Sequence, residues 1–269
     1  MWLEVIITKI MMKKRERINV ITNALSLNGA VRIREISKKL GVSEMTIRRD
    51  LDTLSQENIA TVIPGGAILK KDVSPELDNE NYLISTAESR MIREKIRICQ
   101  KAAAQVKPND TLIIDTGSTT EHLMEFIPPS VPLTIICFTL NILTKVCSNP
   151  HWKIIFTGGY FHGNTLMFES AEGISLLKKT RANKAFLSAA GIEKKLGVTC
   201  ANAYEVETKK AALESSDKRI LLADSSKFQK VKIGYFAELK DFDLIITDSG
   251  IPGSYVSLLQ NSGVDLILA

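Results

Sequence analysis

The sequence predicts an α/β chain in two parts: a small, mostly helical head and a larger body built on a mostly parallel sheet. Three observations carry that expectation. From about residue 111 onward, short continuous apolar runs alternate with helical segments, the pattern of strands buried on both faces of a parallel sheet. Ahead of them, apolar residues recur at helical spacing and are followed by the hairpin signal Pro64-Gly65-Gly66. The charge is also divided. Residues 1–70 carry 12 Lys and Arg against 7 Asp and Glu, whereas residues 71–269 carry 23 of each. The net charge of +5 therefore lies wholly in the first part, which suits a polyanion-binding module on a neutral body. Chance clustering of five charges would look the same.

A chain of 269 residues has room for two domains, and 45% hydrophobic with 24% charged residues is the make-up of a soluble globular protein. Cys99, Cys137, Cys147 and Cys200 form no CxxC pair, and His122, His151 and His162 do not join them at metal-ligand spacing. No metal and no cofactor is expected, and the cysteines read as reduced thiols of a cytoplasmic protein. No run reaches the ~20 apolar residues of a membrane span. Residues 1–12, MWLEVIITKIMM, are apolar but lack a basic leader and a cleavage site, so no signal peptide is expected. Either Met11 or Met12 is the natural start, or this stretch is an extra strand or arm.

The head reads in order as follows. Lys13–Leu27 sets Ile18, Ile21 and Leu25 on one helical face, and Asn28-Gly29 ends it. Val31 and Arg32 add a short strand. Ile33, Ile36 and Leu40 share a face of the second helix, and Gly41 supplies a turn that needs positive φ. Ser43 stands at an N-cap with acidic Glu44 in the first turn, where the helix dipole favours it. Ile47, Leu51 and Leu54 form one buried stripe over about 43–57. Glu44, Met45, Thr46, Arg48 and Arg49 then face away from that stripe. A helix-turn-helix reads base edges and phosphates from this region of its second helix, so Ser43, Glu44, Met45, Thr46, Arg48 and Arg49 are candidate DNA contacts. An ordinary helical hairpin with a solvated Arg pair would share the pattern. Residues 59–63 and 67–69 flank the glycine turn as a hairpin.

LGVSEMTIRRDL, followed by PGGA at Pro64 to Ala67, resembles the DeoR family of bacterial transcriptional repressors. The resemblance runs from about Lys13 to the C-terminus. It implies a winged helix-turn-helix over 13–70, a linker over 71–87, and a sugar-phosphate-sensing and oligomerisation domain over 88–269. It also implies operator double-stranded DNA and a phosphorylated sugar as partners of a homo-oligomer. Val62 and Pro64 stand where the family usually has Arg and His, and Phe138 where it often has Asn.

In the body, a helix is expected over 88–106, and strands over 111–115, 133–138, 153–157, 184–189, 219–223, 244–247 and 265–268. The sharpest site signal is IIDTGSTTEHL, where an apolar strand ends at Asp115 and Gly117, Ser118, Thr119 and Thr120 lead into a helix. Ligands bind beyond the carboxyl ends of such strands, and free N–H groups with hydroxyls attract phosphate. By pattern alone, helix capping by Ser or Thr is the more common explanation. The resemblance favours the former, because in the family and in the related ribose-5-phosphate isomerase-like fold the matching loop holds the sugar phosphate. It likewise implies effector positions at later strand ends: Thr139 and Asn141, Gly158 and Gly159, Gly191, Asn202 and Glu205, and Lys227 in DSSKF. Gly158-Gly159 reads equally as a simple turn, Glu205 as a helix-start carboxylate, and Lys227 as a surface cation.

Asp115, Glu205 and Lys227 would also suit the acid–base work of a sugar-phosphate isomerase or deaminase carrying a DNA-binding head. No Ser-His-Asp order, GxxxxGK[ST] or GxGxxG supports an enzyme. The expectation is a repressor of a carbohydrate or nucleoside catabolic operon, released by the sugar phosphate, with no catalytic residues.

Overall fold

A computed structural model describes residues 14–28, 30–57, 59–63, 65–69, 84, 87 and 90–269. The stretch 1–12, Gly29, Pro64 and the linker 71–87 apart from Ile84 and Ala87 lie outside the described residues. The chain divides into two compact units, 1–77 and 78–269.

The head comprises α1 (Lys14–Asn28), β1 (Ala30–Arg32), α2 (Ile33–Leu40), α3 (Glu44–Gln56), β2 (Ala60–Ile63) and β3 (Gly66–Leu69). Ile21 and Leu25 of α1 pack with Ile33 and Ile36 of α2 and with Ile47, Leu51 and Leu54 of α3. Burying each such side chain contributes roughly 1.5–3 kcal/mol, so a core this small suffices. Strand β3 lies between β1 and β2, antiparallel to both. Ile63 opposes Gly66 across a two-residue connection. The Gly65 carbonyl accepts the Ile33 N–H at 3.0 Å, tying that connection to the start of α2.

Arg17, in the basic run of α1, does not face solvent as a phosphate contact would. Its Nε and Nη2 donate to both oxygens of Asp50 at 2.8 and 3.2 Å. Asp50 sits on the inner face of α3 and is buried. The planar guanidinium matches the carboxylate in a two-pronged contact and fixes α1 across α3.

In the body, the seven expected strands form one parallel sheet, with ends shifted by up to three residues. They are β4 (Thr111–Ile114), β5 (Leu133–Cys137), β6 (Trp152–Phe156), β9 (Ala182–Ser188), β12 (Ser216–Leu222), β14 (Leu244–Thr247) and β15 (Asp265–Leu268). Their spatial order is β15-β14-β12-β9-β4-β5-β6. From β4 the chain builds outward through β5 and β6, then crosses to β9 on the other side of β4 and builds outward again. The sheet is thus doubly wound, with its switch point between β4 and β9.

Alternating residues supply two cores. Leu112, Ile114 and Ile135 pack on one face under α4 (Ile92–Ala103) and α5 (Leu140–Val146), while Ile113, Ile136 and Leu221 pack on the other. That second face is covered by α6 (Ala171–Lys179), α7 (Val206–Glu214) and α8 (Gly253–Ser262). Two antiparallel additions have no counterpart in the sequence reading. They are the hairpin of β7 (Tyr160–His162) and β8 (Met167–Glu169), and the sheet of β10 (Gly191–Glu193), β11 (Gly197–Cys200) and β13 (Gly234–Ala237).

The helix expected after Thr119 is a short one of 3-10 type, Thr120–Glu125. The Thr120 hydroxyl is spent on the carbonyls of Asp115 and Gly117, and Pro128-Pro129 soon blocks continuation. Any anion affinity here comes from loop N–H groups and hydroxyls, not from the dipole of an α-helix.

Removing the carboxylate of Asp50 leaves the half-buried Arg17 without this partner. Asp50→Ala should lower the stability of the head by about 3 kcal/mol, read by circular-dichroism melting of the full chain. An unchanged first transition would show the pair to be dispensable.

Candidate functional site

The head presents one capped helix. Gly41 closes α2 in the left-handed conformation, φ 66°, and its N–H donates to the Ser37 carbonyl. Ser43 is extended, and its hydroxyl accepts the Thr46 N–H at 3.1 Å, so the first turn of α3 is held open-faced. Glu44, Met45, Arg48 and Arg49 are exposed, and Thr46 is half-buried against the Ser43 hydroxyl. The inner face carries Ile47, Asp50, Leu51 and Leu54. The six residues singled out in the sequence thus share one end of one helix. The hairpin exposes Val62 and Ile63, not the cation the family usually has there.

The body presents a crevice at the switch point, of about 390 Å³ counting space open to solvent. Its walls are the loop from Thr116 to Thr119, Ser188 and Ala189 at the end of β9, Thr165, Glu205 and Lys209, and Lys227. Of the sequence-predicted positions, Gly117, Ser118, Thr119, Glu205 and Lys227 meet here. Gly117 is required sterically, because a Cβ there would lie 2.3 Å from the Ser188 hydroxyl.

A buried charge cluster holds the wall. Lys209 donates to Asp115 Oδ2 at 2.5 Å and to the Ser188 carbonyl at 3.2 Å, with Glu205 at 3.8 Å. The Ser188 N–H also donates to Asp115 Oδ2, at 2.9 Å, and its hydroxyl donates to the Thr116 carbonyl at 2.6 Å. Burial works against the Lys209 charge, but Asp115 and then Glu205 outweigh it and keep the ammonium above its ordinary pKa. Burial pushes the Glu205 carboxyl up, with Lys209 and Asn202 opposing. Cys200, also on the wall, is pushed up to about 12 by burial and stays a neutral thiol.

Two lysines line the crevice, the buried and paired Lys209 and Lys227. Lys227 follows Asp224, which caps the turn Ser225–Lys227 by accepting the Ser226 N–H at 3.0 Å. Lys230 has its pKa lowered by burial first, then by the charge of Lys227, with Asp224 opposing and Arg90 and Lys232 adding. Lys227, on the crevice wall, can offer a point charge to an anion.

The remaining predicted positions stand off the crevice. Asp115 and Thr120 are fully buried behind its wall. Asn202 binds Glu205 Oε1 through its N–H at 3.0 Å and its amide at 2.8 Å. Thr139 starts α5 with its hydroxyl buried, and the Asn141 amide donates to Glu121 at 2.9 Å. Gly158 and Gly159 turn β6 into β7, and Gly191 opens β10. Sequence reasoning missed Thr116, Thr165 and Ser188, and passed over Lys209. The last carried a signal: it lies four residues after Glu205, on the face of α7 shared with Thr208 and Ala212. A Lys on a buried helical face implies a buried anion.

No group of His, Cys, Asp and Glu among the described residues is arranged to hold a metal ion. None of their helices is long and apolar enough to cross a membrane.

Comparison with known proteins gives two family matches. Residues 17–73 match the DeoR-like helix-turn-helix domain, and residues 90–249 match the DeoR C terminal sensor domain. The chain is 33% identical to the deoxyribose operon repressor of Escherichia coli (strain K12), over 95% of its own length and 98% of the relative's. It is 33% identical to the lactose phosphotransferase system repressor of Staphylococcus epidermidis, over 88% and 93% respectively. Both relatives are transcriptional repressors and not enzymes. Ribose 5 phosphate isomerase A from Neisseria gonorrhoeae superposes with a TM-score of 0.37 at 16% identity. That match covers 51% of this chain and spans about half, 53%, of the isomerase chain.

The raised Glu205 carboxyl has a measurable sign. Folding favours its protonated form, so the stability it contributes is present below the ordinary value of 4.5 and is lost as pH rises through the raised value. Glu205→Gln keeps an oxygen for Asn202 and should flatten the dependence of Tm on pH just above 4.5, in melts from about pH 4 to about pH 7. A wild-type slope in the variant would contradict the assignment.

Proposed function

The chain belongs to the DeoR family of transcriptional regulators rather than to a family of enzymes, and on that premise we propose that it is an operator-binding repressor released by a phosphorylated sugar. The head, about 13–70, binds double-stranded DNA in the cytoplasm. Ser43, Glu44, Met45, Thr46, Arg48 and Arg49 enter the major groove, and the linker over 71–87 joins the head to the sensor domain, 88–269. The sensor domain assembles the chain into a homo-oligomer, which supplies the paired heads that paired half-sites require.

The observation that carries the effector reading is the crevice itself. Thr116 to Thr119, rich in hydroxyls and backbone N–H groups, line it together with Lys227 and Glu205. A phosphate takes the loop and Lys227, while sugar hydroxyls donate to Glu205. Asp115, Thr120 and Asn202 support this site from behind, while Thr139, Asn141, Gly158, Gly159 and Gly191 are effector positions by family resemblance alone. A ligand held only there regulates the head if it binds the DNA-bound and released states with different affinity. The names of the E. coli and Staphylococcus relatives speak of deoxyribose and lactose, so the sugar differs among repressors of this kind.

Two outcomes test the reading. Arg48→Ala with Arg49→Ala should weaken binding to the duplex upstream of the gene and lower the salt slope by about 2, since each lost phosphate contact removes about 0.9. Unchanged affinity and slope in a gel-shift titration would refute it. In a thermal-shift panel of 2-deoxyribose 5-phosphate, ribose 5-phosphate, fructose 6-phosphate and inorganic phosphate, at least one sugar phosphate should raise the Tm of the full chain. Lys227→Ala should abolish that shift and effector release while leaving DNA binding intact. Normal release from that variant would contradict its role.

A further inference from the structure

We infer that the turn Asn164-Thr165 is the coupling element through which the crevice controls the segment leading to the head. The inference rests on the crevice being the effector site. It is carried by five hydrogen bonds that converge on two adjacent residues.

On the crevice side, the Thr116 hydroxyl donates to the Thr165 carbonyl at 3.1 Å, and Thr165 itself lines the crevice. The Thr165 hydroxyl meets the Tyr204 hydroxyl at 3.0 Å, and Tyr204 donates to Asn164 Oδ1 at 2.8 Å. The Asn164 amide donates to Asn202 Oδ1 at 3.4 Å, and Asn202 holds Glu205 by two bonds. Thus both elements expected to touch the ligand, the Thr116 loop and Glu205, are tied to the same dipeptide. Tyr204 is itself held in place, since its ring stacks on His162 at 3.6 Å.

On the other side, the Asn164 carbonyl accepts the N–H of Ile84 at 2.8 Å. Ile84 is buried, and three residues on, the carbonyl of Ala87 accepts the buried Lys95 ammonium. Ile84 and Ala87 lie between the head and α4 in the sequence. Ile84 is thus bonded to the turn that borders the crevice, and Ala87 to α4, which does not line the crevice.

A ligand that draws in the Thr116 hydroxyl or Glu205 competes for the partners of Thr165 and Asn202. It shifts Asn164-Thr165, and with it the hold on Ile84. The pair is a positioning element and does not touch the ligand through Asn164 or Tyr204. Coupling of this sort is a free energy between two states, so it is removable without loss of either binding event.

The test uses the full chain with Tyr204→Phe and, separately, Asn164→Ala. Tyr204→Phe keeps the stack on His162 and deletes only the bridging hydroxyl. The probe is the sugar phosphate of the panel that raises wild-type Tm most. Affinity for the upstream duplex and for that probe should stay within about twofold of wild type. The probe concentration needed for half release should rise at least about fivefold, the lower end of typical couplings. Release that tracks probe affinity as in wild type would overturn the coupling while leaving the effector reading intact. A wild-type chain that binds its duplex but is released by no sugar phosphate would overturn both. Should either variant fold poorly, hydrogen exchange of the Ile84 amide in the wild type decides instead: its protection should change on adding the probe, and constant protection would refute the inference.

Discussion

The structure of the sensor domain depends on one buried ion pair. Lys209 reaches from α7 to Asp115 at the end of β4 and to the Ser188 carbonyl at the end of β9. Those two strand ends flank the switch point, where the sheet offers its crevice. Burying either charge alone would cost several kcal/mol, so each is tolerable only because the other is present. The pair therefore acts as a specification: it fixes how β4, β9 and α7 meet, and so fixes the depth and shape of the site.

The polar groups of the body then fall into two ranks. Thr116 to Thr119, Glu205 and Lys227 face the crevice. Asp115, Asn202 and Thr120 stand behind and hold them, through the Ser188 N–H, the Glu205 carboxyl and the loop carbonyls respectively. The head follows the same logic with a different purpose. Arg17 and Asp50 bond to one another inside it, while Arg48 and Arg49 are left outside.

Much of this was legible in the sequence for physical reasons. The central parallel strands announce themselves because they are buried on both faces and so read as unbroken apolar runs, as in Leu133–Cys137. The recognition helix is legible because Ser43, Ile47, Leu51 and Leu54 combine a cap with a period. The short strands β7, β8 and β10 were not, since three residues carry no period, and their pairing depends on partners brought close by the fold. The six residues after Thr119 read as a helix because hydroxyls at a strand end resemble a cap, and the two prolines downstream bear on its being short and of 3-10 type. Within the site, Gly117, Ser118 and Thr119 follow their strand directly and are found by local pattern. Ser188 and Thr165 meet them only through contacts some 50 to 70 positions away, at separations of 72 and 49 residues, which no local pattern encodes.

The central claim is that the Lys209–Asp115 pair builds the crevice. Replacing Lys209 by Met keeps length and apolar volume but removes the charge, and the thermal shift of the full chain with its best sugar phosphate measures the consequence. The account predicts a lower Tm and no ligand-induced shift, with affinity for the upstream duplex preserved. A Lys209→Met chain that melts like wild type and is stabilised equally by the ligand would contradict it.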